Sequence, residues 1–218
     1  MLYWLVRNTA ALYILLFHRI RYVGRENIPA SGPLLMFANH PSAFDMFLIA
    51  ACIPRKVHFM AKAELFENKF LGAALRAIGA FPVHRGKGDA GSVKSALALL
   101  ERGEVVGIFP EGTRTRARNR DRKKGGAALI AYHSNAPILP VAVEGRYHIF
   151  KRMRVIYGKP FQLKPPAGAR ADREELYAGT TEILDRIYGM MDSPVPAQAP
   201  DTAVDATGDA VNGKGNKS

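Results

Sequence analysis

A single cysteine, Cys52, in 218 residues excludes an intrachain disulfide and any cysteine-rich metal site. It lies in an apolar run, where a lone thiol reads as a small buried hydrophobe. Long apolar runs are missing too. The uncharged stretch between Arg7 and His18 holds ten residues, against the roughly 20 that a membrane-spanning helix needs. No small-residue cleavage site closes that run before His18, Arg19 and Arg21, which argues against a secretory signal. Acidic residues are scarce: 19 Asp and Glu face 31 Lys and Arg, a formal net charge of +12. Residues 193–218 hold three Asp and two Lys, so the body of the chain carries the charge. Such a surface needs an anionic partner, and the candidates are nucleic acid, anionic lipid, or phosphorylated substrates and carriers. There is no internal repeat, and the length fits one α/β domain rather than two.

What is present begins with MLYWLVRNTAALYILLFHRIRY. Leu2, Leu5, Leu12 and Leu16 fall roughly on one helical face, Trp4 and the tyrosines suit the headgroup level, and the basic cluster favours anionic lipid. Two readings stand open, an amphipathic helix lying in the membrane interface and a helix packed on the domain core; both can hold at once. Beyond it, RYVGRENIPASG reads as a strand and turn, PLLMFAN as a buried strand, residues 42 to 52 as a helix and KVHFM as a strand. Residues 62 to 78 read as a helix, Phe81 to Val83 as extended, Ala90 to Glu101 as a helix and EVVGIFP as a strand. A helix near Gly126 to His133, strands at ILPVAVE and MRVIYG, and a helix at Arg173 to Met190 follow. This alternation predicts an α/β fold with a mixed, largely parallel sheet flanked by helices, and places function at the strand ends. Residues 193–218, rich in Pro, Ala, Gly and Asp, are expected to be disordered. The expected division is therefore a membrane-interface helix at 1–22, an α/β domain at 23–192 and a tail at 193–218.

Chemistry concentrates in NHPSAFD, residues 39 to 45. An imidazole accepts a proton near neutral pH, and a carboxylate on its other nitrogen fixes the tautomer and stabilises the imidazolium. His40 and Asp45 are five apart, awkward within one helix, so the motif is expected to straddle a helix start, with Pro41 in the first turn. The competing reading has Ser42 capping the helix and Asp45 completing a capping-box-like S-x-x-D, with His40 a bystander. Three later segments share the strand-end setting. In GAFPVHR, Arg85 can bind an anion bidentately or simply cap a strand in solvent. In FPEGTRTR, Gly112 permits close backbone approach, Glu111 can orient a hydroxyl or pair with arginine, and Arg114 can grip a phosphate. In ILPVAVEG, Pro140 interrupts an apolar strand, as an edge or bulged strand would allow.

In order and spacing, NHPSAFD, GAFPVHR, FPEGTR and ILPVAVEG resemble the four blocks of the glycerolipid acyltransferases, nearest to the bacterial enzymes that acylate 1-acyl-glycerol 3-phosphate. The resemblance spans residues 23 to about 160. It extends to Lys62 through Gly72, where K-x-x-L precedes a glycine, although Lys69 stands where many members carry proline. It implies transfer of a fatty acyl group from a thioester donor, acyl-CoA or acyl-carrier protein, to the sn-2 hydroxyl of lysophosphatidate, giving phosphatidate in phospholipid biosynthesis. In that reaction His40 is the base and Asp45 its orienting carboxylate. Lys62 or backbone N–H groups near Gly112 are candidates for the oxyanion. Arg85 and Arg114, with Glu111, Gly112 and Thr113, would hold the acceptor. No metal or other cofactor is implied, since a thioester is already activated. The implied location is the cell membrane, peripheral or monotopic, on the cytoplasmic face.

The run RTRARNRDRKK, residues 114 to 124, carries seven cations and one Asp121. It reads as a solvated loop, or as a grip for anionic lipid, coenzyme A phosphates or an acidic carrier. It lacks interleaved aromatics for base stacking, so nucleic acid is not an expected partner. Two alternatives remain: the same chemistry on glycerol 3-phosphate or another lyso-lipid, and a catalytically silent membrane-binding module.

Overall fold

The computed structural model describes residues 1–84, 89–115, 118, 124–145, 147, 151–166 and 171–192. Among them the elements are α1 (Leu2–Phe17), β1 (Arg19–Val23), β2 (Leu34–Ala38), α2 (Asp45–Ala50), β3 (Val57–Lys62), α3 (Lys69–Ala77), β4 (Phe81–Val83), α4 (Ala90–Glu101), β5 (Val105–Ile108), α5 (Gly126–Ser134), β6 (Ile138–Gly145), β7 (Arg152–Tyr157) and α6 (Arg173–Asp192). One seven-stranded sheet has the order β1-β7-β6-β2-β5-β3-β4. Strands β2 to β6 are mutually parallel, β7 is antiparallel to β6, and β1 runs parallel to β7. The mixed, largely parallel sheet expected from the sequence is the one that forms.

Its local logic is plain at β2. The run LLMFA is buried throughout, as a parallel strand covered on both faces must be. Leu35 and Phe37 enter a core built with α4, α5 and α6, while Leu34, Met36 and Ala38 enter the opposite core with α1 and α2. Helix α6 contributes Ile183, Leu184, Ile187, Tyr188 and Met191 from one buried stripe. It approaches α5 at Gly179, where a Cβ would lie 2.9 Å from the Ala128 Cβ.

Four expectations are corrected. Helix α1 stops at Phe17, and Arg19 to Val23 pair with β7, so residues 19–22 belong to the sheet rather than to the N-terminal helix. The helix expected over 62 to 78 is a 3₁₀ turn, Ala63–Phe66, followed by α3. The break falls at Asn68, whose side chain accepts the N–H groups of Phe70 and Leu71 and so caps α3. Lys69 is then the first helical residue, a position that also suits proline. Helix α2 begins at Asp45, leaving Pro41 in the preceding bend. Pro140 lies in an interior strand, paired in parallel with Phe37 of β2. Strand alternation turns its donor-less nitrogen toward β7 where that ladder ends, with Gly158 N–H donating to the Pro140 carbonyl at 2.8 Å.

Helix α1 answers both readings of the N-terminus in part. Its inner face is docked: Tyr3 and Ile14 are buried, and the Val57 N–H donates to the Tyr3 hydroxyl at 3.0 Å. Its outer face presents Leu2, Leu5, Leu12 and Leu16, all exposed, with Trp4, Tyr13 and Phe17. No helix among the described residues is long and apolar enough to cross a membrane.

Candidate active site

Because β2, β5 and β6 run parallel, their C-terminal ends deliver His40, Glu111 and Tyr147 to one edge of the sheet. Where the backbone of β2 leaves β6, the Asn39 amide replaces it in the ladder. Asn39 Nδ2 donates to the Val143 carbonyl at 2.8 Å, and Val143 N–H donates to Asn39 Oδ1 at 2.7 Å. His40 is thereby placed by a rigid neighbour. Its N–H donates to Glu111 Oε2 at 3.0 Å and its carbonyl accepts the Thr115 N–H at 2.9 Å, so the FPEGTRT loop brackets it on both sides.

The imidazole is 2.8 Å from Asp45, Nδ1 to Oδ2, and Asp45 is fully buried. The same Oδ2 accepts the Ser42 N–H at 2.7 Å. The two readings of NHPSAFD are therefore one contact: Asp45 reaches back to the backbone, as in a capping box, and to His40. Ser42 does not cap α2 with its side chain, since α2 has no side-chain N-cap; its Oγ accepts the Phe44 N–H at 3.3 Å. The remaining carboxylate oxygen, Oδ1, accepts the Tyr147 hydroxyl. A short helix such as α2 is weak alone, and three side chains satisfy carbonyls at its end. Tyr157 donates to Ile49 O at 2.6 Å, Tyr22 to Leu48 O at 3.3 Å, and Arg7 of α1 to Ile53 O at 2.8 Å, just beyond it.

Against the other face of the imidazole lies Phe109, stacked at 3.8 Å between centroids and 13° between planes, and Phe59 stacks in turn on Phe109. His40 Nε2 makes no hydrogen bond to a described residue, yet the only buried unpaired side-chain polar atom among those residues is Arg55 Nη1. Nε2 is therefore open to solvent. With Nδ1–H assigned as donor to Asp45 from the hydrogen-bond network, the Nε2 lone pair faces outward as a base.

The other candidates from the sequence separate. Glu111 is 1% exposed, and its oxygens accept from the His40 N–H and from the Tyr188 hydroxyl of α6. Buried there, Glu111 braces the loop against β2 and α6. Gly112 has φ +66°, and a Cβ there would lie 2.5 Å from Lys124 Nζ, so both its left-handed backbone and its bare Cα are used. Thr113 is partly buried and Arg114 exposed on the same loop. Lys62 ends β3, half exposed, with Nζ 3.0 Å from Glu64 Oε1, and is not among the contacts of His40 or Asp45. Arg85 and most of the 116–123 run lie outside the described residues, as does the 193–218 tail; Arg118 of the run pairs with Asp192 at the end of α6. Sequence reasoning missed Asn39, Phe109, Tyr147 and Tyr188. Asn39 and Phe109 sit inside the recognised blocks, but Tyr147 and Tyr188 are 102 and 77 positions from their partners, with no local signal.

Comparison with known proteins shows the family. The acyltransferase family model matches residues 19–144. The 1-acyl-sn-glycerol-3-phosphate acyltransferase of Bacillus subtilis (strain 168) is 35% identical over 192 residues, covering 85% of this chain and 94% of the relative. The enzyme of that name from Streptococcus pneumoniae is 33% identical over 57% of this chain and 47% of its own length, and the chloroplastic LPAT1 of Arabidopsis thaliana is 26% identical over 78% of this chain and 50% of its own. The chain thus spans nearly all of the Bacillus protein and about half of these two longer relatives. Among solved structures, the 1-acyl-sn-glycerophosphate acyltransferase PlsC of Thermotoga maritima shares the fold with a TM-score of 0.64 at 23% identity, over 86% of this chain and 79% of the other. This chain, with its buried His40–Asp45 pair at the end of β2, belongs to the acyltransferase family.

Proposed function

We propose that this enzyme acylates the sn-2 hydroxyl of lysophosphatidate from acyl-CoA or acyl-carrier protein, giving phosphatidate, with no further cofactor. The observation that carries this reading is the His40 imidazole, held by Asp45 at Nδ1 and open to solvent at Nε2. Nε2 takes the proton of the acceptor hydroxyl as that oxygen attacks the thioester carbonyl carbon. The C–O bond forms, the tetrahedral intermediate collapses, the C–S bond breaks, and the imidazolium returns its proton to the leaving thiolate. Backbone N–H groups around Gly112 are the candidates for the oxyanion. Lys62, engaged with Glu64, is the weaker one. The names of the relatives support the acceptor, and the exposed Arg114 supports a phosphate-bearing one. The test is an assay of purified protein with both donor types and a panel of lysophosphatidate, glycerol 3-phosphate and phosphate-free lyso-lipids. Phosphatidate should be the main product, and preferential acylation of another acceptor overturns the assignment.

Arg114 follows directly from this reading. Loss of one charge-assisted contact to phosphate is worth about 1.5–3 kcal/mol. Arg114→Ala should therefore raise the KM for lysophosphatidate roughly tenfold or more with a smaller change in kcat. A KM change confined to the donor would move Arg114 to the other substrate.

The outer face of α1 is the proposed contact with the cytoplasmic face of the cell membrane, as a peripheral or monotopic attachment. Leu5, Leu12 and Leu16 are exposed and make no core. Changing all three to glutamate should leave the melting temperature within a few degrees of wild type. Flotation with anionic vesicles should fall at least about tenfold, since each buried leucine is worth about 1.5–3 kcal/mol. Undiminished flotation would remove α1 as the anchor.

A further inference from the structure

Asp45 is enclosed on every side, and each of its oxygens has a distinct task. Oδ2 accepts from His40 Nδ1 at 2.8 Å and from the Ser42 N–H at 2.7 Å, while among the described residues Oδ1 accepts from the Tyr147 hydroxyl. Rotation about an aspartate Cβ–Cγ bond is soft and nearly two-fold. Two donors on one oxygen do not stop the carboxylate from swinging; a third on the other oxygen does. Tyr147 is itself fixed, with its ring edge-on to His18 at 5.9 Å and tilted against Phe44 at 6.3 Å. Gly145, with φ +110°, is the last residue of β6, and two positions on the Tyr147 hydroxyl reaches Asp45.

We propose that Tyr147 is a positioning residue for acyl transfer, locking the Asp45 carboxylate so that Oδ2 stays on His40 and withdrawing charge from it through the bond to Oδ1. This rests on the catalytic reading of His40. Burial, and then the adjacent Asp45 carboxylate, push the Tyr147 hydroxyl well above its ordinary range, so it remains a donor wherever Asp45 is ionised. A hydrogen bond donated to a carboxylate stabilises its charge and lessens what it offers to the imidazolium. Removing that donor makes His40 more basic. His40 works as a base only when neutral, so a raised titration point moves the acid limb of the rate profile to higher pH. The other titratable groups around the pair are Glu111 at the His40 amide, His18 against the Tyr147 ring, and Tyr22, which acts electrostatically on Tyr147. Tyr147→Phe leaves all of them in place.

The experiment compares wild type, Tyr147→Phe, Asp45→Asn and the double variant. NMR titration of the His40 imidazole needs no substrate and is read first. Tyr147→Phe should raise the midpoint by about half a pH unit or more. In acyl transfer the same variant should lose about tenfold in kcat with acceptor KM within about twofold, and its acid limb should move with the imidazole. In the Asp45→Asn background the added loss should be less than about twofold, because the bond being removed then has no charged acceptor. An unmoved His40 titration, or the full tenfold loss repeated in that background, overturns the proposal. A shifted titration in a protein that acylates no acceptor upholds Tyr147 as the lock on Asp45 and sinks the functional reading instead.

Discussion

His40→Ala should lower kcat/KM for acyl transfer about a hundred- to ten-thousandfold, the range that a positioned general base contributes. The loss should fall on kcat, with acceptor KM within about threefold, because Nε2 meets the hydroxyl proton only as the reaction begins. Folding should survive. His40 holds the FPEGTRT loop through its backbone N–H and carbonyl, and alanine keeps both. The side chain's loss leaves Asp45 Oδ2 with the Ser42 N–H and opens space beside Phe109. A circular dichroism melt alongside a radiolabelled-thioester assay separates the two effects. Residual activity above about one-tenth of wild type, in a folded protein, would mean that another group takes the proton and that the stacked, Asp45-bound imidazole is structural.

Glu111→Ala should be felt in stability as well as in rate. The carboxylate joins three distant parts of the chain: the end of β5, the His40 amide after β2 and Tyr188 of α6. Its removal takes the Glu111 partner from a buried N–H and a buried hydroxyl, each lost bond to a charged group costing about 1.5–3 kcal/mol. Part of that loss is returned, because a buried carboxylate is itself expensive to desolvate. A net loss of about 2–4 kcal/mol corresponds to a fall in Tm of roughly 4–16 °C for a domain of this size. Tyr188→Phe removes the hydroxyl bond and keeps the one to the His40 amide, and should show a smaller drop. If Glu111 instead held the acceptor at the surface, the alanine variant would melt like wild type and lose only acceptor affinity, and thermal scanning beside an acceptor titration distinguishes these outcomes.

The architecture was legible wherever it is local. The LLMFA and VVGI strands announce themselves by continuous apolar runs, and α4 begins where its pattern does because Asp89 caps it. Legibility failed where a side chain acts over long range or where two local rules compete. One helix over 62 to 78 was the simplest periodic reading, but Asn68 caps a new helix in its middle. The run RIRY continued an apolar, basic helix on paper, yet its partner strand lies at Arg152 to Tyr157, far along the chain. In the site, His40 and Asp45 could be read from type and spacing. What holds them could not, because Tyr147 and Tyr188 come from segments with no motif of their own. Glu111 could be found for its chemistry, but not its bonds to the His40 amide and to Tyr188, since spacing cannot show which distant groups an acid meets.

The edge of the sheet has a consequence for how this chain is made. Strand β1 pairs along its whole length with β7, Arg19 with Arg152 through Val23 with Ile156. At a ribosomal pace of about 5–20 residues per second, β7 is synthesised on the order of ten seconds after β1. Throughout that interval β1 has no partner strand, although α2 and Val57, which cover the inner face of α1, are made within the first 57 residues. The nascent chain can therefore seat α1 on its inner-face partners well before β1 gains its strand.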